Sequence, residues 1–187
     1  MEKLILASAS PRRKELLELL NIPFSIVVSD VDESVSEQLT PKEVVMELSR
    51  RKARAVFEKV NQGIVIGSDT IVVVDGEILN KPVDASEARQ MLKKLSGKTH
   101  SVFTGVTFIN EEKEHSFYEE TFVTFWELTE DDITAYLNTK EYADKAGAYG
   151  IQGFGATLVK KVEGEYATVV GLPIARLKQE LRQFTTI

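Results

Sequence analysis

An apolar run from Ile64 to Val74 constrains the fold of this chain more than any other stretch. Aliphatic and β-branched residues fill most of the run, which is typical of strands covered on both faces of a sheet. Asp69 is the one carboxylate within it, and a buried carboxylate is costly unless it is paired or bound to a metal ion. Gly67 relaxes the backbone nearby and permits the close approach of a ligand. Two interpretations of Asp69 stay open: a capped structural residue, or a functional carboxylate.

Strands and helices alternate along the first half of the chain. Leu4–Leu6 is a short apolar run that predicts a buried strand, and Ser10 then has the position of a helix N-cap. Thr40 begins a second helix with a capping box, and this helix is predicted to run to about Lys59. The alternation continues to about residue 95 and predicts an α/β fold, in which a mixed, strongly twisted sheet carries outer helices.

The remaining elements follow from the same kinds of pattern. Capping residues and turn signals bound each of them. The predicted strands are Ile22–Val28, Ile78-Leu79, Thr99–Ile109 and Phe117–Trp126, and the predicted helices are Asp84–Leu95, one that starts near Thr129, and one from Gly171 to about Gln183.

Two arginines, Arg12 and Arg13, fall in the first turn of the first helix. The helix dipole is positive there, so cations are disfavoured unless an anion is also present. Helix N-termini bind phosphate readily, and arginine binds it bidentately. The alternative is a pair of solvated arginines. On the dipole argument alone, removal of Arg13 would leave the fold as stable as before, or more stable.

An acidic loop and one lysine are further candidates. Ser29–Glu33 gathers carboxylates of the kind that a magnesium site needs, although a solvated loop has the same composition. Lys52 lies four residues after Leu48 and four before Val56, so it shares their apolar helix face. It either extends to the edge of that face or holds its ammonium group near a phosphate.

Two more polar residues lie where turns or glycines surround them. Asp75-Gly76 is a strong hairpin signal, and the hairpin would bring Lys81 beside the Asp69 end of the long strand. Gln152 lies in the glycine-rich stretch Lys145–Gly153, and its amide could read donor and acceptor edges of a base. Taken alone, Lys81 is an ordinary loop lysine and the glycines indicate only tight packing.

Composition argues against several classes of protein. The formal net charge of the 187 residues is -6, whereas a general nucleic-acid binder needs a basic surface. The chain has no cysteine and only two histidines, which argues against thiol chemistry, a histidine-rich zinc site and a serine–histidine hydrolase. Neither Walker-A nor Rossmann glycine spacing occurs. No run approaches the roughly 18 apolar residues of a membrane span, so a cytoplasmic protein without membrane partners is expected.

The first motif carries a family resemblance. Ser8-Ala9-Ser10-Pro11-Arg12-Arg13 resembles the opening signature of the Maf family of nucleoside triphosphate pyrophosphatases. Four later segments match the same family in order: Arg51-Lys52-Ala53, Gly67-Ser68-Asp69-Thr70, Asn80-Lys81-Pro82 and Lys145–Gly153. The resemblance covers nearly the whole chain and implies one Maf-like domain over residues 1–187, with two lobes around a central cleft, as in Maf and ITPase-like folds.

The resemblance also implies roles for individual residues. Asp69 would be the catalytic general base, and Glu33 and Asp69 would hold a divalent cation, Mg²⁺ or Mn²⁺. The substrate-binding residues that it implies are Ser8, Arg12, Arg13, Lys52, Thr70, Lys81 and Gln152, with Gln152 at the base-specificity position.

The implied activity is hydrolysis of dTTP and UTP to the nucleoside monophosphate and pyrophosphate, and the resemblance also allows a role in removing non-standard nucleotides. The alternative is a nucleotide-binding regulator of cell division or septum formation with little turnover. Asp69 separates the two, because a carboxylate beside a triphosphate repels it and gives a pure sensor no advantage. The expected partner is the nucleoside triphosphate; a homodimer is compatible with the sequence, which does not fix the oligomeric state.

Overall fold

The computed structural model describes residues 3–184 of the chain. It contains six α-helices around one seven-stranded sheet, with two short 3-10 segments between residues 146 and 158. In chain order the elements are β1 (Leu4–Leu6), α1 (Pro11–Glu18), β2 (Phe24–Ile26), α2 (Pro41–Val60), β3 (Ile64–Val74), β4 (Glu77–Leu79), α3 (Ala85–Leu95), β5 (Thr99–Ile109), β6 (Glu114–Phe125), α4 (Glu130–Asn138), β7 (Val159–Glu163), α5 (Tyr166–Val170) and α6 (Ile174–Phe184).

The sheet is mixed, as the sequence predicts. Its strand order is β2-β1-β3-β5-β6-β7, and β4 pairs with the far end of β3. β1 runs parallel to both β2 and β3. The pairs β3–β5, β5–β6 and β6–β7 are antiparallel. The long ladder between β3 and β5 extends from Val65, opposite Ile109, to Val73, opposite Ser101. β3 is therefore the central strand, with partners on both sides.

α2 lies directly against one face of the sheet because two strand residues have no side chain. A Cβ atom added to Gly67 of β3 would lie 2.2 Å from the carbonyl oxygen of Ser49. One added to Gly105 of β5 would lie 2.3 Å from that of Val45. Only glycine permits so close an approach of helix and strand backbones. This approach brings the side chains of α2 within reach of the next residues along β3.

The opposite face of the sheet carries two separate apolar cores. One contains Ile64 and Ile66 of β3 and packs against α1 and α6. The other contains Val72 and Val74 of the same strand and packs against α3 and α4. Polar residues, among them buried Ser68, occupy the part of β3 between them. These two cores are the two lobes that the family resemblance implies.

Most predicted elements are confirmed, and the differences have local causes. β2 covers only Phe24–Ile26 rather than Ile22–Val28, because its single partner β1 offers three residues for pairing. β7 and α5 were not predicted. Among the helices described between residues 3 and 184, none has the length and apolarity that a membrane-spanning segment needs.

Candidate active site

A cleft of about 1060 Å³ lies between the two lobes. The first turn of α1, the loop before α2, the middle of β3 and the segment after α4 contribute to its walls. All nine residues predicted for the site line it: Ser8, Arg12, Arg13, Glu33, Lys52, Asp69, Thr70, Lys81 and Gln152. The structure thus brings the whole predicted set together, while the role of each residue stays a prediction.

Three charged side chains meet on the face of the sheet that α2 covers. Asp69 follows Gly67 by two residues, so both face α2, and Asp69 is only 7% exposed. Nζ of Lys52 lies 2.6 Å from Oδ1 of Asp69 and 2.7 Å from Oε1 of Glu33. Lys52 therefore does not extend to the edge of its helix face. It binds two carboxylates inside the cleft.

The charges of this group do not balance, because one ammonium group faces two carboxylates. Partial burial of Glu33 opposes its ionisation, but the hydrogen bond from Lys52 and the positive charges of Lys52, Lys81 and Arg13 outweigh it, and the pKa of Glu33 is lowered below 4.5. Glu33 is thus charged at neutral pH, and within residues 3–184 Lys52 is the one ammonium group that contacts both carboxylates. A second cation would complete this group.

The donor set suits a hard divalent cation. Glu33 and Asp69 each place one carboxylate oxygen on Nζ of Lys52, at 2.7 and 2.6 Å, and Mg²⁺ is usually held by one or two carboxylates, water and substrate phosphates. Within residues 3–184 no cluster of three or more histidine, cysteine or acidic side chains is present that could form an all-protein cage. Glu33 and Asp69 are therefore the two side chains that could hold such an ion together with a phosphate.

Arg13 lies on the other face of β3, where it is held by three hydrogen bonds. Its Nε donates to the carbonyl oxygen of Gly171 at 2.8 Å, Nη2 donates to Oγ1 of Thr70 at 3.2 Å, and Nη1 donates to Oγ of Ser8 at 3.4 Å. Burial lowers its pKa, and the charge of Asp69 counteracts this. Arg13 is therefore not a solvated arginine: its guanidinium group is fixed at the rim of the cleft.

Thr70 belongs to a series of hydrogen-bonded side chains that holds Arg13 in place. Its hydroxyl shares a 2.9 Å hydrogen bond with Thr104, whose hydroxyl also binds the carbonyl oxygen of Thr168 at 2.8 Å. Ser68 donates to the same Gly171 carbonyl that Arg13 binds. The role of Gly171 was not predicted, because a backbone carbonyl leaves no sign in the sequence.

The other two predicted cations, Arg12 and Lys81, line the cleft without an ion-pair partner among residues 3–184. Arg12 is half-buried, and Lys81 is exposed at the end of the β3–β4 hairpin. Lys81 is nonetheless close enough to Glu33 to lower its pKa, so the hairpin does bring this lysine to the Asp69 end of β3.

Gln152 is exposed to the cleft in a turn that Glu141 holds. The carboxylate of Glu141 accepts hydrogen bonds from the backbone N–H of Phe154, at 3.1 and 3.2 Å, and of Gly155, at 3.4 Å. Gly153 adopts a φ of +66°, and a Cβ there would lie 2.8 Å from the same carboxylate. Glu141 was missed because it lies outside the glycine-rich stretch and binds only backbone groups.

His100 and Tyr149 form a buried, hydrogen-bonded pair next to the turn that carries Gln152. The hydroxyl of Tyr149 and Nε2 of His100 share a hydrogen bond of 2.7 Å, and both rings contact Phe125 edge-on. Burial lowers the pKa of His100 to about 4, so the ring is neutral at physiological pH. The pair ties the glycine-rich stretch to β5.

The chain is similar to known proteins over nearly its whole length. A family model described as "Maf-like protein" matches residues 3–184. The chain belongs to the Maf family. A Maf relative from Bacillus cytotoxicus is 58% identical over 98% of this chain and 96% of its own length, and one from Bacillus cereus is 56% identical over the same shares. Both carry the name dTTP/UTP pyrophosphatase.

Solved structures include a more distant neighbour. The Ham1 protein of Staphylococcus aureus aligns with 66% of this Maf chain and 72% of its own, with a TM-score of 0.49 and 14% identity.

Proposed function

We propose that this protein hydrolyses dTTP and UTP to the nucleoside monophosphate and pyrophosphate. The observation that carries the proposal is Asp69, a buried strand carboxylate in the cleft, 2.6 Å from Lys52 and beside Glu33. The names of the Bacillus relatives, which are 55% or more identical over nearly the whole chain, support this substrate class.

The triphosphate would lie among the cations of the cleft. Arg13 presents a fixed guanidinium group, while Arg12 and Lys81 have no fixed partners within the described chain and are free to move onto phosphate oxygens. These charges are gathered locally in a protein whose net charge is -6. Because phosphoryl transfer depends on positioning and electrostatic stabilisation more than on covalent chemistry, such a cluster supplies much of what the reaction needs.

Asp69 would act as the general base. A water molecule attacks the α-phosphorus, and its proton passes to the carboxylate of Asp69. The bond between the α-phosphorus and the bridging oxygen breaks, and pyrophosphate leaves. Lys52 orients Asp69 through Oδ1, and within residues 3–184 the second oxygen accepts no hydrogen bond, so it is available for the water.

A divalent cation, Mg²⁺ or Mn²⁺, forms part of the proposal. It would be held by Glu33 and Asp69 and would neutralise phosphate charge when bound. Two carboxylates that share a single ammonium group support it, because a bound cation would reduce their repulsion of the phosphates.

Gln152 would read the base. Its amide offers both a donor and acceptors, which match the O4 and N3–H edge of uracil and thymine. Gln152 adjoins Ile151 of the core that packs against α3 and α4, whereas Arg13 lies on α1, which packs against the other core, so base and phosphates would contact different lobes.

The test is a screen of the common ribo- and deoxyribonucleoside triphosphates with Mg²⁺, with phosphorus NMR to identify the first product. We expect dTTP and UTP to be the best substrates and pyrophosphate to appear before orthophosphate. Tight binding of UTP without turnover, under every metal tried, would favour the alternative of a nucleotide-binding regulator.

A further inference from the structure

Arg51 binds the backbone on both sides of Glu33. Its Nη1 donates to the carbonyl oxygen of Ser34 at 2.7 Å and to that of Asp32 at 3.1 Å. The loop that carries these residues connects β2 to α2 and contains no helix or strand. Its only regular feature at this point is a turn in which the Asp32 carboxylate accepts hydrogen bonds from the N–H and hydroxyl groups of Ser34. The Arg51 contact therefore fixes a segment with little structure of its own.

Arg51 is itself held in place on α2. Its Nε donates to Oε1 of Glu47 at 2.8 Å, while Oε2 of Glu47 binds Nε and Nη2 of Arg50 at 3.1 and 2.6 Å. Burial opposes the ionisation of Glu47, but the hydrogen bonds from Arg51 and Arg50 outweigh it and lower its pKa. The charged carboxylate holds one edge of the Arg51 guanidinium group, which leaves Nη1 directed at the loop.

Two consecutive residues of α2 thus act on the same acidic side chain. Arg51 binds the peptide groups that flank Glu33, and Lys52 binds its carboxylate at 2.7 Å. The side chain of Glu33 is half-exposed, so burial alone would not fix its position. Its direction towards Asp69 depends on this double contact from the helix.

We propose that Arg51 is a positioning residue, which holds the loop so that the carboxylate of Glu33 stays beside Lys52 and Asp69. Its effect on turnover rests on the function proposed above, whereas its effect on the loop does not. Lysine should not replace it, because one ammonium group cannot bind Glu47 and two loop carbonyls with the planar geometry of a guanidinium group.

Arg50 provides a matched control. It lies next to Arg51 and binds the same Glu47 carboxylate, but it has no hydrogen bond to the loop. Arg50→Met and Arg51→Met each remove one arginine from the Glu47 carboxylate, and Arg51→Met also removes the two hydrogen bonds to the loop. Only Arg51→Met should release the segment around Glu33.

The first measurement is hydrogen exchange of a peptide that covers residues 29–36, with short labelling times at near-neutral pH, where Glu33 and Glu47 are ionised. We expect severalfold faster exchange in Arg51→Met and Arg51→Lys than in the wild type, and wild-type exchange in Arg50→Met. Equal exchange in the Arg50 and Arg51 variants would overturn the proposal, whether or not the protein is an enzyme.

The second measurement is a double-mutant cycle with Glu33→Gln, read from kcat/KM for UTP and from the Mn²⁺ dissociation constant. Loss of residues that support a metal ligand typically costs about 10- to 100-fold in affinity or activity. We expect Arg51→Met to show a loss of this size in the wild type and almost none in the Glu33→Gln background. A loss that is the same in both backgrounds would show that Arg51 does not act through Glu33.

Discussion

Nζ of Lys52 lies 2.6 Å from Oδ1 of Asp69, so the long helix and the central strand meet through an ion pair at the floor of the cleft. Both side chains are close to 90% buried, with exposures of 11% and 10%. Loss of one member of such a pair leaves the other uncompensated. The ion pair is therefore at once a contact that stabilises the fold and a part of the proposed site, and variants of the two residues separate these roles.

Asp69→Asn should almost abolish turnover while nucleotide binding survives. The amide cannot accept a proton, and loss of a general base typically costs about 10²–10⁴ in rate. The fold should persist because Lys52 keeps Glu33 as a partner, 2.7 Å away. Measurement of kcat, and of UTP affinity by calorimetry without metal, tests this. A well-folded variant with wild-type turnover would end the proposed mechanism, and an unfolded one would favour a structural role.

Lys52→Met should lower the melting temperature and increase the stabilisation that a divalent cation provides. Without the ammonium group, Glu33 and Asp69 repel each other, and Mg²⁺ or Mn²⁺ bound between them would relieve that repulsion. A ligand that binds only the folded state raises its stability by mass action. Thermal unfolding with and without Mn²⁺ tests this. The control is Lys52→Met combined with Glu33→Gln, which should lose the extra stabilisation; an equal Mn²⁺ response in all variants would exclude these ligands.

Gln152→Ala should reduce kcat/KM for UTP more than for GTP. The unpaired edge of a buried base costs about 1–3 kcal/mol, which corresponds to roughly a 5- to 150-fold loss. Gln90, an exposed glutamine on α3, is the control position. Gln90→Ala should change kcat/KM for neither UTP nor GTP. An equal loss for both nucleotides in Gln152→Ala would indicate that the residue is structural.

Arg13→Ala should destabilise the protein and weaken triphosphate binding. The helix dipole alone predicts relief of about 0.3–1 kcal/mol, but the variant also removes three hydrogen bonds, to Gly171, Thr70 and Ser8. Each lost partner in a buried position typically costs about 1–3 kcal/mol. The rise in melting temperature on addition of UTP should be smaller than in the wild type. The same rise in both proteins would argue against a phosphate role for Arg13.

His100 should make the protein less stable in acid. Its pKa is about 4 in the folded protein and about 6.5 when unfolded, so the unfolded chain binds more protons between these values. The free energy of unfolding must then fall as the pH drops from 6.5 towards 4, by an amount on the order of 3 kcal/mol. Urea titrations of wild type and His100→Asn at pH 7 and pH 4.5 check this. If the free energy of unfolding of His100→Asn falls by the same amount in acid, other groups must cause the loss.

Sequence patterns predicted the parts of this fold that side chains specify locally. β3 and β5 have the predicted bounds, since each is an apolar run between clear turn signals. Ser10 and Thr40 cap their helices as expected, and each precedes a proline at the first helical position. The division into two lobes was implied only by the family resemblance, because a polar interruption within one strand does not by itself predict two cores.

The parts that were missed depend on backbone groups or on distant contacts. Arg51 and Glu141 act on carbonyl and amide groups that every residue possesses, so nothing in the sequence marks their targets. The spacing of Lys52 placed it on the buried face of α2 but left its partner open. Gly67 lets α2 approach β3 closely enough for Lys52 to reach Asp69.

β3 passes without a break from one lobe into the other, and this limits how the cleft can move. Rotation of two domains needs a few loop or terminal residues that absorb the change in backbone angles. Here the connection between the lobes is the middle of a strand that is hydrogen-bonded to β5 along its length. Separation of the lobes would break that ladder, so the cleft should not close by a hinge. Entry of substrate and release of product then depend on the segments before α2 and after α4, and mutations that stiffen those segments should slow exchange of nucleotide.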